Sequence, residues 1–252
     1  MFMSVLDTSL TSASYTELAG ARIVLTGLVP TCGVDIARAF ADARVRLVLQ
    51  TAAVSSDPEV TEIVALLAET AQEIKLFDGA LTASMDVTRF AQAGCQAFGG
   101  VDTMVNMVAI TAADIEAVSK SADVEVAIAR LFEPMFAMTR ICANRMRLTM
   151  TEGGIVNIAL VEQGHTAHAG LITAMIKVTL AAMTRVEAQT WAKDGIRINA
   201  IGPRATMAGD KDPAVTASEP EVAAIALYLA SSRARGLSGH VFQAEGALTK
   251  CS

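Results

Sequence analysis

Six short runs, each largely aliphatic and β-branched, alternate with longer helical segments, and this alternation limits the possible folds more than any other feature. The runs are RIVLT (22–26), VRLVLQ (45–50), DTMVNMVAI (102–110), GGIVNIALV (153–161), GIRINAI (195–201) and HVFQA (240–244). A strand with one wet face alternates apolar and polar residues, whereas a near-continuous apolar run is covered on both faces. Such strands, joined through helices, build a parallel sheet between two helical layers. The expected fold is α/β: a doubly wound parallel sheet, three layers α/β/α, in a single domain.

The helices are expected at Val34–Ala41, from Pro58 after a capping Asp57, through Ala97, from Asp123 to Leu148, and from about Gly170 toward Gly195. A last helix starts at SEPE (218–221), with Ser218 as cap, Pro220 just inside and Glu221 at the third position of a capping box. Residues 1–19 carry neither a basic start nor an apolar core, so they are expected to form a flexible N-terminal arm and not a secretory signal. The domain then covers 20–252.

Composition excludes some partners. A net charge of −6 and the lack of any Lys/Arg block argue against nucleic acid and against a membrane surface. Hydrophobic residues make up 52% of the chain, yet the longest stretch without Asp, Glu, Lys or Arg, Gln163–Ile176, contains two histidines and is too short to span a bilayer. Cys32, Cys95, Cys142 and Cys251 are scattered without metal-ligand spacing, so no metal is expected and the compartment is expected to be the cytoplasm.

In a doubly wound sheet, ligands bind beyond the carboxyl ends of the strands, where strand order reverses. After RIVLT comes GLVPTCGVD (27–35), in which Gly27 and Gly33 could form a tight turn leading a phosphate to a helix N-terminus. An ordinary strand-to-helix turn fits the same residues. The second feature is AGLITAMIKVTLAA (169–182), where Lys177 is the one cation in an apolar run. A buried ammonium is costly unless paired, and a snorkelling side chain is the plain alternative to a ligand role.

Six blocks, in order, resemble the classical short-chain dehydrogenase/reductase family, which includes bacterial 3-oxoacyl reductases. TGLVPTCG (26–33) is similar to the family's TGxxxGxG, MDVT (85–88) to its adenine-site block, and FGGVDTMVNMVAI (98–110) to its fGxxDxLVNNAGI. GGIVNIAL (153–160), the Lys177 helix with DGIRINAIGP (194–203), and RGLSGHVFQAEGA (235–247) complete the resemblance. It implies a Rossmann-like fold, NAD or NADP as cofactor, a small carbonyl or alcohol substrate, and a homodimer or homotetramer built through the two long middle helices. The implied cofactor residues are Gly27, Thr31, Gly33, Gln50, Asp86, Asn106, Lys177 and Pro203.

The departures from the family pattern concern the chemistry itself. The family uses a Tyr as acid/base, a Lys four residues later, a Ser that polarises the carbonyl, and an Asn that completes a proton relay. Here the Lys is Lys177, while Thr173 stands at the Tyr position, Leu160 at the Ser position and Arg130 at the Asn position. A threonine hydroxyl is a far weaker acid than a phenol, and leucine donates no hydrogen bond. Thr31 replaces a glycine of the phosphate turn, Met107-Val108-Ala109 replaces Asn-Ala-Gly, and Arg204 follows Pro203 where the family has glycine. Gln50 stands where an acidic residue would select NAD, and no cation beside it welcomes a 2′-phosphate, so the two cofactors are not distinguished.

Two readings follow. The chain is an NAD(P)-dependent oxidoreductase with classical carbonyl reduction lost or very slow, with Thr173 or His165 relaying a proton. Alternatively it is a non-catalytic dinucleotide-binding or scaffold protein. Glu162, His165 and His168 lie after the GGIVNIALV strand, where a solvated loop also accounts for them.

Overall fold

The computed structural model describes residues 15–162, 167–203 and 219–244. Seven parallel strands form one sheet: β1 (Arg22–Leu28), β2 (Arg46–Thr51), β3 (Glu73–Asp78), β4 (Thr103–Ile110), β5 (Gly154–Val161), β6 (Arg197–Pro203) and β7 (Val241–Ala244). Their order is β3-β2-β1-β4-β5-β6-β7, so the winding reverses between β1 and β4. The helices are α1 (Val34–Asp42), α2 (Pro58–Ala68), α3 (Ser84–Gln96), α4 (Ala112–Ser119), α5 (Val124–Leu148), α6 (Ala167–Trp191) and α7 (Glu219–Ala230). This is the doubly wound, three-layer α/β/α architecture expected from the alternation.

Alternation along each strand sorts the core into two layers. Leu25, Leu47, Val105, Met107, Val156, Ile158 and Leu160 pack beneath α1, α2 and α7. Val24, Val48, Met104 and Ile155 meet α3 and the second half of α5 on the opposite face. On that second face Ile110, Ala159 and Val161 meet α4, α5 and α6. Burial of apolar surface on both faces is the main stabilising term, and it explains the unbroken apolar strands.

β3 was not anticipated. Its sequence EIKLFD alternates charges with apolar residues because it is the sheet edge, and only β2 flanks it. The short α4 was also unexpected. Thr111 and Asp114 form a complete capping box there, and Glu162 accepts the Ala112 N–H at 2.7 Å, so this loop carboxylate serves α4. At α2 the expected cap holds: Asp57 accepts from Glu59 N at 3.0 Å, with Pro58 in the first turn.

The end of the N-terminal segment is packed onto the domain. Tyr15 and Leu18 are buried, and the Arg233 guanidinium lies 4.6 Å from the Tyr15 ring. Burial raises the Tyr15 phenol above its ordinary value, with Arg233 opposing. One helical stretch among the described residues, His168–Asp194, is long and apolar enough to cross a membrane; here Ile172, Ile176 and Leu180 lie against the sheet.

Candidate functional site at the strand switch point

The cleft begins where β1 ends. The register of β1 against β2 shifts between Leu25 and Leu28, and Gly27 there takes φ +78°. A Cβ on Gly27 would come 2.2 Å from the Met107 carbonyl oxygen, so only glycine lets β1 approach β4 this closely. Gly33, at φ +89°, caps α1, and a Cβ there would come 2.5 Å from Met107 Cε. Both glycines singled out in the sequence are thus required by backbone geometry. The Met107 side chain fills the space over Gly33.

Between these glycines the turn is closed on itself. Val29 N donates to Cys32 O at 3.1 Å, and Cys32 N donates to Val29 O at 3.0 Å, with Thr31 exposed at the tip. Gln50, 3% exposed, bridges three strands: its Oε1 accepts from Gly27 N at 2.9 Å and its Nε2 donates to Gly79 O at 2.7 Å. Both ends of the Gln50 amide are therefore committed to backbone.

Below the turn, Asn106 belongs to a buried network. Its Nδ2 donates to Asn157 Oδ1 at 2.9 Å and Thr139 Oγ1 at 3.2 Å, and its Oδ1 accepts from Thr26 Oγ1 at 3.3 Å. This ties β1, β4, β5 and α5 together at the floor of the cleft. Asn157 Nδ2 is buried there with no hydrogen-bond partner among the described residues.

Two adjoining cavities extend from the turn, of about 200 and about 290 Å³. The first lies among Thr26, Gly27, Asn106, Met107, Leu131 and Met135; the second runs along Phe77, Asp78, Leu81, Asp86 and Phe90. Gln50 and Leu81 border both. Clefts for drug-sized ligands measure roughly 300–1,000 Å³, so each compartment alone is small.

The acidic residue at the end of β3 is Asp78, which sequence reasoning missed with its strand. Asp86 lies eight positions on, in the first turn of α3, with Arg89 4.0 Å away. Both line the second cavity. Hydrogen bonds from Ser55 hold the Asp78 carboxyl below the usual carboxylate range. The signal for Asp78 was the DG pair that it forms with Gly79.

The residues that the sequence resemblance assigns to catalytic positions fall on three elements. Leu160, 5% exposed, is the penultimate residue of β5 and lies on the face of α1 and α7. Thr173 and Lys177 stand one turn apart on α6, over the opposite face. Thr173 Oγ1 donates to Ala169 O at 2.9 Å, so its proton is already engaged in its own helix. Lys177 is half-buried, with no ion pair or hydrogen bond among the described residues. Arg130 requires correction: it is exposed and does not border the cavity, whereas Leu131, Pro134, Met135 and Met138 form the stripe of α5 that does. Leu131, one residue along, is the first residue of α5 on that cavity-lining stripe. His168 is exposed at the start of α6, Pro203 is buried at the end of β6, and His165 lies outside the described residues.

The α1 N-terminus carries a further carboxylate. Glu219 Oε1, from the start of α7, accepts Asp35 N at 2.8 Å and Ile36 N at 3.4 Å. Burial raises the Glu219 carboxyl above its ordinary value, and the nearby Asp35 charge raises it further. A bound pyrophosphate would need free backbone N–H groups at this turn and helix end. Those of Gly27, Val29, Cys32, Asp35 and Ile36 are all engaged within the chain. In this arrangement the residues present do not fit a pyrophosphate, although the glycines and the cleft are those of a doubly wound nucleotide fold.

Fold and cleft define a Rossmann-like α/β protein with a cleft at the strand switch point. Residues 31–214 match the sequence model of a family described as enoyl-(acyl carrier protein) reductase. A 2,5-dichloro-2,5-cyclohexadiene-1,4-diol dehydrogenase from Sphingobium indicum is 29% identical over 260 residues, covering 92% of this chain and 98% of its own. Among solved structures, a putative short-chain alcohol dehydrogenase from Sinorhizobium meliloti superposes with a TM-score of 0.70 at 23% identity, over 92% of this chain and 97% of that one. An NADH-dependent reductase, A1-R′, complexed with NAD, gives 0.70 at 18% identity, over 94% and 99%. The chain belongs to the short-chain dehydrogenase/reductase family of oxidoreductases.

Proposed function

We propose that this chain is a family member in which Tyr-dependent carbonyl reduction is lost or very slow, while a weakened nicotinamide dinucleotide cleft remains. The observation that carries the reading is Thr173: it stands at the acid's position, and its hydroxyl donates to Ala169 O of its own helix. Leu160 at the Ser position is packed into the apolar core and offers no donor. General acid–base catalysis is worth about 10²–10⁴-fold and an oxyanion donor about 10²–10³-fold, so both losses together are severe.

Neither tyrosine replaces the missing phenol. Tyr15 is buried against Arg233, and Tyr228 lies on α7, on the other face of the sheet from Thr173. Lys177 is the catalytic-position residue that remains, and its place on α6 suits a ribose. Gly27 and Gly33 keep the backbone turn, Asp78 and Asp86 border the adenine end, and Gln50, committed to backbone, leaves NAD and NADP unseparated.

A scaffold role in a homo-oligomer is the second reading. Leu171, Val178 and Val186 are exposed along α6 at spacings that place them on one helical stripe. This supports a homodimer or homotetramer through α5 and α6. Calorimetric titration with NADH and NADPH tests the retained cleft. Weak binding that Lys177→Ala weakens further agrees with it, and no binding at millimolar nucleotide leaves only the scaffold.

A further inference from the structure

We propose that Glu219 is an internal competitor for the phosphate end of this cleft: its carboxylate takes the α1 N-terminus, and a dinucleotide binds only by displacing it. The inference rests on the family reading of the cleft as a dinucleotide site.

The first helix after β1 ends its N-terminus at the switch point, where N–H groups and the helix dipole attract an anion. In this chain that anion is supplied from within. Glu219 Oε1 sits 2.8 Å from Asp35 N and 3.4 Å from Ile36 N. The contact joins residues 184 positions apart, so it is a product of tertiary packing between α1 and α7. A phosphate oxygen and the Glu219 carboxylate cannot hold the same donors at once.

Electrostatics act in the same direction. Asp35, in the first turn of α1, is close enough to raise the Glu219 carboxyl, so two acidic side chains already surround one helix end. Neither is paired with a basic side chain among the described residues. A pyrophosphate arriving there adds negative charge to negative charge. In the preceding turn the Val29 and Cys32 N–H groups each donate to the other's carbonyl, and Gly27 N donates to Gln50 Oε1. Removing Glu219 therefore frees the Asp35 and Ile36 N–H groups at the α1 N-terminus for an anion.

The test uses the full chain, with ADP, inorganic pyrophosphate and adenosine titrated into wild type, Glu219→Gln and Glu219→Ala. Thermal melting checks that each variant is folded, and Glu219→Gln carries the test if Glu219→Ala is not. ADP and pyrophosphate should bind Glu219→Ala roughly tenfold more tightly than wild type, and Glu219→Gln by a smaller factor, because helix-end anion contacts are charge-assisted. Adenosine, which has no phosphate, should bind all three alike. Equal ADP affinity in wild type and variants overturns the proposal while leaving the family reading intact. Failure of every protein to bind ADP and adenosine overturns both.

Discussion

The Glu219 carboxylate accepts the backbone N–H of Asp35 at 2.8 Å, which couples the first turn of α7 to the first turn of α1 across 184 positions of sequence. This contact has a pH signature. Burial, reinforced by Asp35, raises the Glu219 carboxyl above its unfolded value, so the folded chain holds that proton more tightly. Stability from this group is therefore greatest in acid and declines as pH rises from the ordinary glutamate range through the raised value. Urea melts across that window should slope downward for wild type and flatten for Glu219→Gln. Parallel slopes would show that Glu219 is not buried against α1.

The opposite sign is expected at Asp102. Its Oδ2 accepts from Arg22 N and Nε at 2.8 and 2.9 Å, and its Oδ1 from Arg22 Nη2 at 2.5 Å. Burial raises this carboxyl, but the Arg22 hydrogen bonds and charge outweigh it and hold the group below the usual range. Asp102→Asn should cost about 1–2 kcal/mol at neutral pH, discounted because the pair is partly exposed. The difference should shrink as pH falls below the ordinary aspartate range, because wild type then loses the same charge. A constant difference down to low pH would assign the effect to packing.

At Gly27 the expectation is steric. Its φ is +78°, and an added Cβ would come 2.2 Å from Met107 O. Gly27→Ala should lose at least about 2 kcal/mol in chemical denaturation. Near-wild-type stability would mean that β1 and β4 are not this close.

Gln50→Leu tests the clamp. It leaves the half-buried Gly27 N–H without its side-chain partner, at a cost of about 1–3 kcal/mol, whereas the exposed Gly79 C=O can turn to water. Hydrogen exchange at Gly27 should speed up in this variant. Unchanged exchange would show that the amide has another partner.

How much of this was legible in the sequence depends on how local each cause is. The six apolar strands and the two turn glycines declare themselves, because burial on both faces and positive φ each select residue types at single positions. β3 did not, since an edge strand mixes Glu73, Lys75 and Asp78 with Ile74, Leu76 and Phe77, and its end residue Asp78 went with it. Arg130 was one residue out of phase with the helical stripe that Leu131 begins, an offset that only the packing of α5 resolves. The partners of Gln50 and Glu219 were not legible either. Both side chains bond to backbone distant in sequence, and nothing in the residues beside them encodes that.

In the proposed function the chain keeps the family's fold but not its proton donor. Steady-state turnover of wild type and Lys177→Ala with NADH and NADPH, over a panel of carbonyls and alcohols, tests this most directly. With Thr173 and Leu160 at the Tyr and Ser positions, wild-type rates should fall at least roughly 10⁴-fold below a Tyr-containing family member measured alongside, and Lys177→Ala should change them little. Turnover within tenfold of that enzyme, abolished by Lys177→Ala, would show that this chain catalyses the family reaction.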